Sequence, residues 1–373
     1  MASNQPLPET HRALILTSRA YGPEIKTIPT PQPGPGNAIV RIEAANIISY
    51  SKHIYSGTRP YPLPVPLVIG TSAIGRIATT GPDAVSLKPG QLIFVDSFVR
   101  GRDDEDAAFL FGVHEGHSEE SKILMRGEWR DATYAEYAKV PLENCYPLNE
   151  DLLVNKLGYG IAEDLQDLSR LLVPYGGLRD INLQPGETII IAPATGAFGS
   201  AAVKCALAIG ARVIALGRNL DALKPLASKS SNPARVETVQ LTGDVQTDLK
   251  VLQVFGRIDA YLDISPPAAA NSTHFKSCIL SLRKGGRVSF MGGLNDEITI
   301  PIKAVVSRDL QLRGKWMYER KDVRDLIRMV EMGLLKLGGQ KVDKFKLGEW
   351  EAAFDRAAEY AGSGGEKAAV IVP

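Results

Sequence analysis

At 373 residues the chain exceeds one ordinary hydrophobic core, and at ~100–200 residues per domain it implies two domains. Hydrophobic residues make up 44%, charged residues 23%, and the net charge is +1; this is a globular composition with no electrostatic footprint for nucleic acid or a membrane surface. Three cysteines, Cys145, Cys205 and Cys278, lie far apart in sequence; an odd, sparse set argues against a disulfide framework or a cysteine zinc site and points to a reducing, cytoplasmic compartment.

The first residues, MASNQPLPETHRALIL, lack a charged start followed by an apolar core and do not read as a signal peptide. No apolar run approaches the ~20 residues of a spanning helix. To about Asn149 the chain is rich in Pro and Gly, and ALILTS, AIVRIEAANI, AIGRIATT and QLIFV read as short strands between turns. That density of turns suggests a small all-β barrel or sandwich. Between Arg100 and Asp131 a charge-dense stretch breaks the rhythm and reads as a long surface excursion with a short helix.

From about Asp151 helices and strands alternate. DLLVNKLGYGIAEDLQDLSRLL carries helix-spaced apolar residues; TIIIA, ARVIALG, RIDAYLDIS and GRVSFMGG read as strands, and FKSCILSL as part of a helix. This alternation implies a doubly wound parallel α/β sheet. The last part holds a strand (LQLRGK), two helices (DVRDLIRMVEMGLL and LGEWEAAFDRAAEYA) and a terminal strand (AAVIV) expected to return to the first domain.

The strongest chemical signal follows the strand at 188–192. Ala194, Thr195, Gly196, Ala197, Phe198 and Gly199 form a G-x-G-x-x-G turn with Ala in its first position, ahead of a helix of small residues. Gly196 lets the backbone approach a pyrophosphate, Gly199 lets helix and strand pack closely, and the helix N-terminus presents N–H groups to phosphate. At the end of the next strand stand Gly217, Arg218 and Asn219. No carboxylate is there to hold a ribose 2′-hydroxyl, and Arg218 suits a 2′-phosphate, so NADPH is the expected cofactor. Ser265, Met291, Gly292 and Gly293 follow two further strands and are candidates for the nicotinamide side.

With these motifs in place, the whole chain resembles the medium-chain dehydrogenase/reductases, most closely their zinc-independent quinone oxidoreductase and enoyl reductase branch. The resemblance implies a GroES-like β-barrel catalytic domain over 1–155, completed by about 315–373, and an NADP-binding Rossmann domain over 156–314. It also implies a homodimer or homotetramer. The zinc branch carries a ligating Cys in the segment that here reads Ala44 to Ser49, with Asn46 at that position. Its Gly-His-Glu motif here reads Gly70-Thr71-Ser72; Thr71 matches the quinone branch, whereas Ser72 departs from both. The lobe of four closely spaced cysteines is absent, with the 100–131 segment about in its place. No metal is therefore expected. His114, Glu115, His117 and Glu119 lack the spacing of a helical zinc site and read as a solvated loop.

Without a metal, hydrogen-bond donors must stabilise the charge that develops on the substrate as hydride arrives. The residues that resemble the family's substrate cleft are Asn46, Ser49, Tyr50, Tyr61 and Thr71; Tyr61 falls near the Tyr of the branch's SGLYP pattern. Either tyrosine is a candidate proton donor. The ordinary alternatives are that Asn46 caps a turn, Tyr50 is half-buried in the barrel and Thr71 bonds to backbone. A quinone or α,β-unsaturated carbonyl suits such a site, because its conjugated anion spreads charge. A zinc-free carbonyl reductase or alcohol dehydrogenase, and a non-catalytic NADPH-binding protein, are the competing readings.

Overall fold

A computed structural model describes residues 6–294 and 296–373. Met1–Gln5, the start of the segment read as carrying no signal peptide, lie outside the described residues. The chain divides into two compact units: 1–169 with 337–361 and 367–373, and 170–336 with 362–366. The breaks fall later than 155 and 314: residues 156–169 group with the first unit, and the helix at 320–331 groups with the second.

In chain order the first unit contains β1 (Thr10–Ser18), β2 (Gly22–Pro29), β3 (Asn37–Asn46), α1 (Ser51–Ser56), β4 (Leu67–Val68), β5 (Ala73–Thr80), β6 (Leu92–Val95), β7 (Phe98–Arg100), β8 (Ala108–Leu110), α2 (Glu119–Arg126), β9 (Tyr137–Pro141) and β10 (Cys145–Pro147). The second contains α3 (Leu168–Asp180, crossing the break), β11 (Thr188–Ala192), α4 (Ala197–Ile209), β12 (Arg212–Gly217), α5 (Leu220–Ser228), β13 (Val236–Gln240), α6 (Val245–Gln253), β14 (Ala260–Asp263), α7 (His274–Ser281), β15 (Arg287–Phe290), α8 (Ile302–Ser307), β16 (Gln311–Gly314) and α9 (Arg320–Glu331). The chain then returns to the first unit with β17 (Lys341–Lys346), α10 (Trp350–Glu359) and β18 (Lys367–Val372).

The main sheet of the first unit runs β10-β6-β5-β3-β18-β17, with β9 also on β3, and a second sheet runs β2-β1-β4. The terminal strand joins as expected: Val370 pairs with Asn46 and Ile371 with Ala45. Core residues alternate along β1, whereas β6 is buried at all four positions. Leu14, Leu16, Val40, Ile42 and Ile93 reach one apolar core.

The 100–131 segment is not the surface excursion expected from its charges. β7 and β8 form a hairpin, and Phe109, Phe111, Val113 and Met125 lie in the core of the first unit. Most of its charges face outward, some in pairs such as Arg102 with Glu143 and Lys122 with Glu119, whereas Glu115 is buried against Arg126. Burial of these four large apolar side chains, worth ~1.5–3 kcal/mol each, outweighs the polar composition. The stretch from Asp151 is also not one helix. A π-helical turn covers Asp151–Lys156, and Gly158 at φ +73° ends it; regular helix resumes only at α3.

The second unit is a six-stranded parallel sheet in the order β13-β12-β11-β14-β15-β16. β11 is buried at all five positions, as expected of a strand covered on both faces. β13 and β16 are the edge strands, β16 pairing Arg287 with Gln311 through Phe290 with Gly314.

Candidate functional site

In the second unit β11 ends at Ala192, and the chain turns through Pro193–Thr195 into α4. The Ala194 N–H donates to the Leu216 carbonyl at 2.7 Å, pinning the turn to β12. Gly196 is the N-cap of α4 in an extended conformation, φ −80° and ψ 168°, and no side chain caps it. The first N–H groups of α4 therefore remain available to a ligand. The two glycines differ in kind. A Cβ on Gly196 would meet nothing within 4 Å, whereas one on Gly199 would sit 2.1 Å from the Pro193 carbonyl oxygen. Gly199 serves the packing of helix on strand; Gly196 keeps space open beside the helix N-terminus.

Arg218 stands exposed just beyond β12, and among the described residues no carboxylate is within ion-pair reach of it. Gly217 is buried, with room for a Cβ restricted by Thr195 Cγ2 at 3.0 Å. The Asn219 side chain accepts from the Asp221 and Ala222 N–H groups at 2.9 and 3.2 Å, so its oxygen caps α5 instead of facing a ribose. Fit to a dinucleotide phosphate thus rests on the open space at Gly196, the uncapped start of α4 and an arginine free of acids.

The loops after β14 and β15 are joined to each other. Met291 N–H donates to the Asp263 carbonyl and Gly293 N–H to the Ser265 carbonyl. Ser265 is 2% exposed and its hydroxyl donates to Asp263 Oδ1 at 2.6 Å, so its side chain is spent within the protein. His274 Nε2 lies 3.2 Å from Ser265 Oγ, and the Tyr261 hydroxyl donates to Asp263. A Cβ on Gly292 would sit 2.5 Å from Asp263 Oδ2, and the Met291 sulfur packs where Gly177 leaves room. Ser265, Met291 and Gly292 therefore shape this end of the sheet by packing, and Gly293 alone of the four is exposed.

Sequence reading missed two partners of the glycine turn. Arg170 donates to the Ala197 carbonyl at 2.7 Å and to Ser200 Oγ at 3.2 Å, steadying the first turn of α4. The segment 362–366 returns to this unit, and a Cβ on Gly364 would lie 3.3 Å from the Thr195 carbonyl. Gly364 and its neighbour Gly365 both sit at positive φ.

In the first unit Thr71 is 2% exposed, and its hydroxyl donates to the Asn46 carbonyl at 2.5 Å. The Tyr134 hydroxyl donates to that same carbonyl at 2.8 Å. Thr71 therefore braces the end of β3 through its hydroxyl, the backbone-bonded alternative for this residue. The Asn46 side chain makes no hydrogen bond to a described residue and is half-buried, as is Ser49. Tyr50 and Tyr61 do come together, edge to face at 6.5 Å between ring centres. Burial raises the Tyr50 phenol well above its ordinary range, with Tyr61 adding and Arg59 opposing. The Arg59 guanidinium carbon lies 4.1 Å from the Tyr50 ring centre and 4.7 Å from that of Tyr61, and Nη2 donates to the Tyr61 hydroxyl at 2.7 Å.

The HEGH stretch is folded, not a solvated loop. Glu115 is buried and bidentate on Arg126, at 2.9 Å to each oxygen. His114 Nδ1 accepts from the Gly116 N–H, and its ring meets Tyr61 at 5.0 Å and His117 at 4.9 Å. Among the described residues no three His, Cys, Asp or Glu side chains converge as a metal site. Burial first, then His117, push His114 down to about 4 from an ordinary 6.5. A folded value below the unfolded one adds stability above about 6.5, lost as pH falls toward about 4. His114→Asn, which keeps an acceptor near Gly116 but takes up no proton, is expected to flatten that limb. Melting curves of both proteins across this pH range check it; parallel curves would refute it.

Two family models match the chain: the alcohol dehydrogenase GroES-like domain over residues 34–150, and the zinc-binding dehydrogenase model over 197–332. The L-threonine 3-dehydrogenase of Anaeromyxobacter dehalogenans is 22% identical over 92% of this chain and 94% of its own length. Among solved structures, AibC has a TM-score of 0.76 at 20% identity, covering 100% of this chain and 98% of its own. A zinc-binding dehydrogenase of Sinorhizobium meliloti 1021 bound to NADP gives 0.74 at 19%, covering 98% and 100%. Acetophenone reductase of Geotrichum candidum in complex with NAD gives 0.70 at 18%, covering 99% of each chain. No described helix is long and apolar enough to cross a membrane. With both family models matched in order and the fold shared end to end, the chain belongs to the medium-chain dehydrogenase/reductase superfamily, as an oxidoreductase with a GroES-like unit and a Rossmann unit of the nicotinamide-dinucleotide-binding type.

Proposed function

We propose that this oxidoreductase uses NADPH to reduce a quinone or α,β-unsaturated carbonyl compound without zinc. The observation that carries the reading is the bond from the Thr71 hydroxyl to the Asn46 carbonyl. It occupies, with oxygen and amide groups, the positions that resemble zinc ligands in the zinc branch. Soft sulfur and imidazole donors are missing there, and the three cysteines are buried apart as thiols.

The cofactor would be held by the start of α4, the open space at Gly196 and Arg218. When bound it supplies the hydride. The chain's own residues supply position and hydrogen bonds. Arg170 steadies the glycine turn, and the Asn46 amide and the Tyr61 hydroxyl donate to no described residue. Tyr61 accepts from Arg59, so its own proton remains free to donate. The dehydrogenase and acetophenone reductase names of the relatives favour a second reading, a carbonyl reductase or alcohol dehydrogenase, zinc-free on the grounds just given. We also propose, from the family resemblance, a cytoplasmic homodimer or homotetramer.

The test is NADPH oxidation by chelator-treated protein across quinones, enones and simple ketones. Turnover of quinones or enones in preference to ketones is expected. Turnover of ketones alone would favour the second reading, and tight NADPH binding without any turnover would favour a non-catalytic role.

A further inference from the structure

Two guanidinium groups in the first unit converge on Tyr61 without an acid to neutralise them. Arg59 lies against the Tyr50 and Tyr61 rings and donates to the Tyr61 hydroxyl. Arg19 donates to the Tyr61 backbone carbonyl. Both arginines are half-buried. Among the described residues neither has a carboxylate within ion-pair reach, whereas Arg12, Arg76, Arg102 and Arg126 all do. Glu115, the chain neighbour of the His114 that packs on Tyr61, is buried and bound on both oxygens to Arg126. His114, packed on Tyr61, adds no negative charge and is held neutral by burial.

A half-buried cation without a counter-charge is costly unless a ligand supplies one. The arrangement also directs donors. One N–H of Arg59 goes to Tyr61, which leaves its other N–H edges and the Tyr61 proton for an incoming anion. A guanidinium fork beside a phenol hydroxyl is the donor set that binds a carboxylate at two or three points.

Resting on the reductase reading above, we propose that Arg59, held by Tyr50 and Tyr61, binds an anionic group of the substrate, and that the substrate class is an enone or quinone bearing a carboxylate. Arg19 sets the Tyr61 loop and adds positive potential. Arg59 is thus a specificity-determining residue, distinct from whichever group moves the proton.

The experiment compares β-acetylacrylate, an enone with a carboxylate, with its methyl ester. Binding is measured by calorimetric titration into NADP+-loaded protein, and turnover with NADPH. The acid is expected to bind at least about tenfold tighter than the ester, ~1.4 kcal/mol. Arg59→Met should erase the difference while NADPH affinity holds, and Arg59→Lys should keep part of it. Tyr61→Phe serves as the second variant should Arg59→Met fold poorly, and it should reduce the preference. Equal binding of acid and ester, or no binding of the acid, overturns the anion site whatever is turned over. Inorganic phosphate binding tighter than the acid overturns the carboxylate class. Absence of turnover of both enones, with the acid still bound through Arg59, would count against the reductase reading and leave the anion site standing.

Discussion

Gly199→Ala is expected to lower the melting temperature of the second unit by about 2–10 °C, and Gly196→Ala to leave it unchanged or slightly higher while losing NADPH. Both substitutions add one methyl group within the same turn. At Gly199 the new carbon would lie 2.1 Å from the Pro193 carbonyl oxygen and 2.9 Å from Ala194 Cα. Those are backbone atoms of a turn pinned to β12, so α4 must lift off the sheet. Overpacking of this kind costs ~1–3 kcal/mol, and for a unit of this size each kcal/mol moves the midpoint by roughly 2–4 °C. The gain in helix propensity from Gly to Ala, at most ~1 kcal/mol, does not offset it. At Gly196 the backbone is already in a region any residue adopts, and the methyl meets only open space. Removing a glycine there restricts the unfolded chain and contributes ~0.4–1 kcal/mol in favour of folding. The same methyl would occupy the volume a pyrophosphate needs at the start of α4, so NADPH affinity should fall at least about tenfold. Thermal melts and fluorescence titration of NADPH on both variants check the pair. A Gly196→Ala protein that binds NADPH normally would remove the cofactor from this turn.

Arg218→Ala is expected to weaken NADPH binding about 10–100-fold and NADH binding hardly at all. A hydrogen bond to a charged group contributes ~1.5–3 kcal/mol, which is that range of affinity. Arg218 is exposed and makes no ion pair with a described residue, so little of the folded unit depends on it. The nearby Asn219 is already committed to capping α5, so the expectation rests on Arg218 alone. Equal losses for NADPH and NADH would show that Arg218 acts on something both share.

The Rossmann unit was legible because its strands are covered on both faces. TIIIA at β11 and RVIALG at β12 read as unbroken apolar runs, and the glycines between β11 and α4 carry a steric signature. The last strand was legible for the same reason, since KAAVIV buries three consecutive residues in the first unit. The 100–131 segment was not. Phe109, Phe111, Val113 and Met125 are scattered among charges, and the partners that make those charges acceptable, such as Glu143 for Arg102, lie far along the chain.

In the candidate site, residue type was readable and commitment was not. Thr71 and Ser265 have the right hydroxyls for a substrate or cofactor, but each donates to an internal acceptor that only the fold brings near. Conversely, Arg170 and Gly364 reach the glycine turn from 27 and about 170 residues away, beyond any local pattern. Arg59 escaped notice because an arginine in a loop reads as a solvated surface charge until the two tyrosine rings and the missing acid are seen.

The most direct test of zinc-independent reduction is the rate of NADPH oxidation with one quinone or enone before and after exhaustive chelation. An unchanged rate, with zinc well below stoichiometric in the active protein, is the predicted result. A rate that collapses on chelation and returns on adding zinc would contradict the account and make the protein a metal-dependent member of its family.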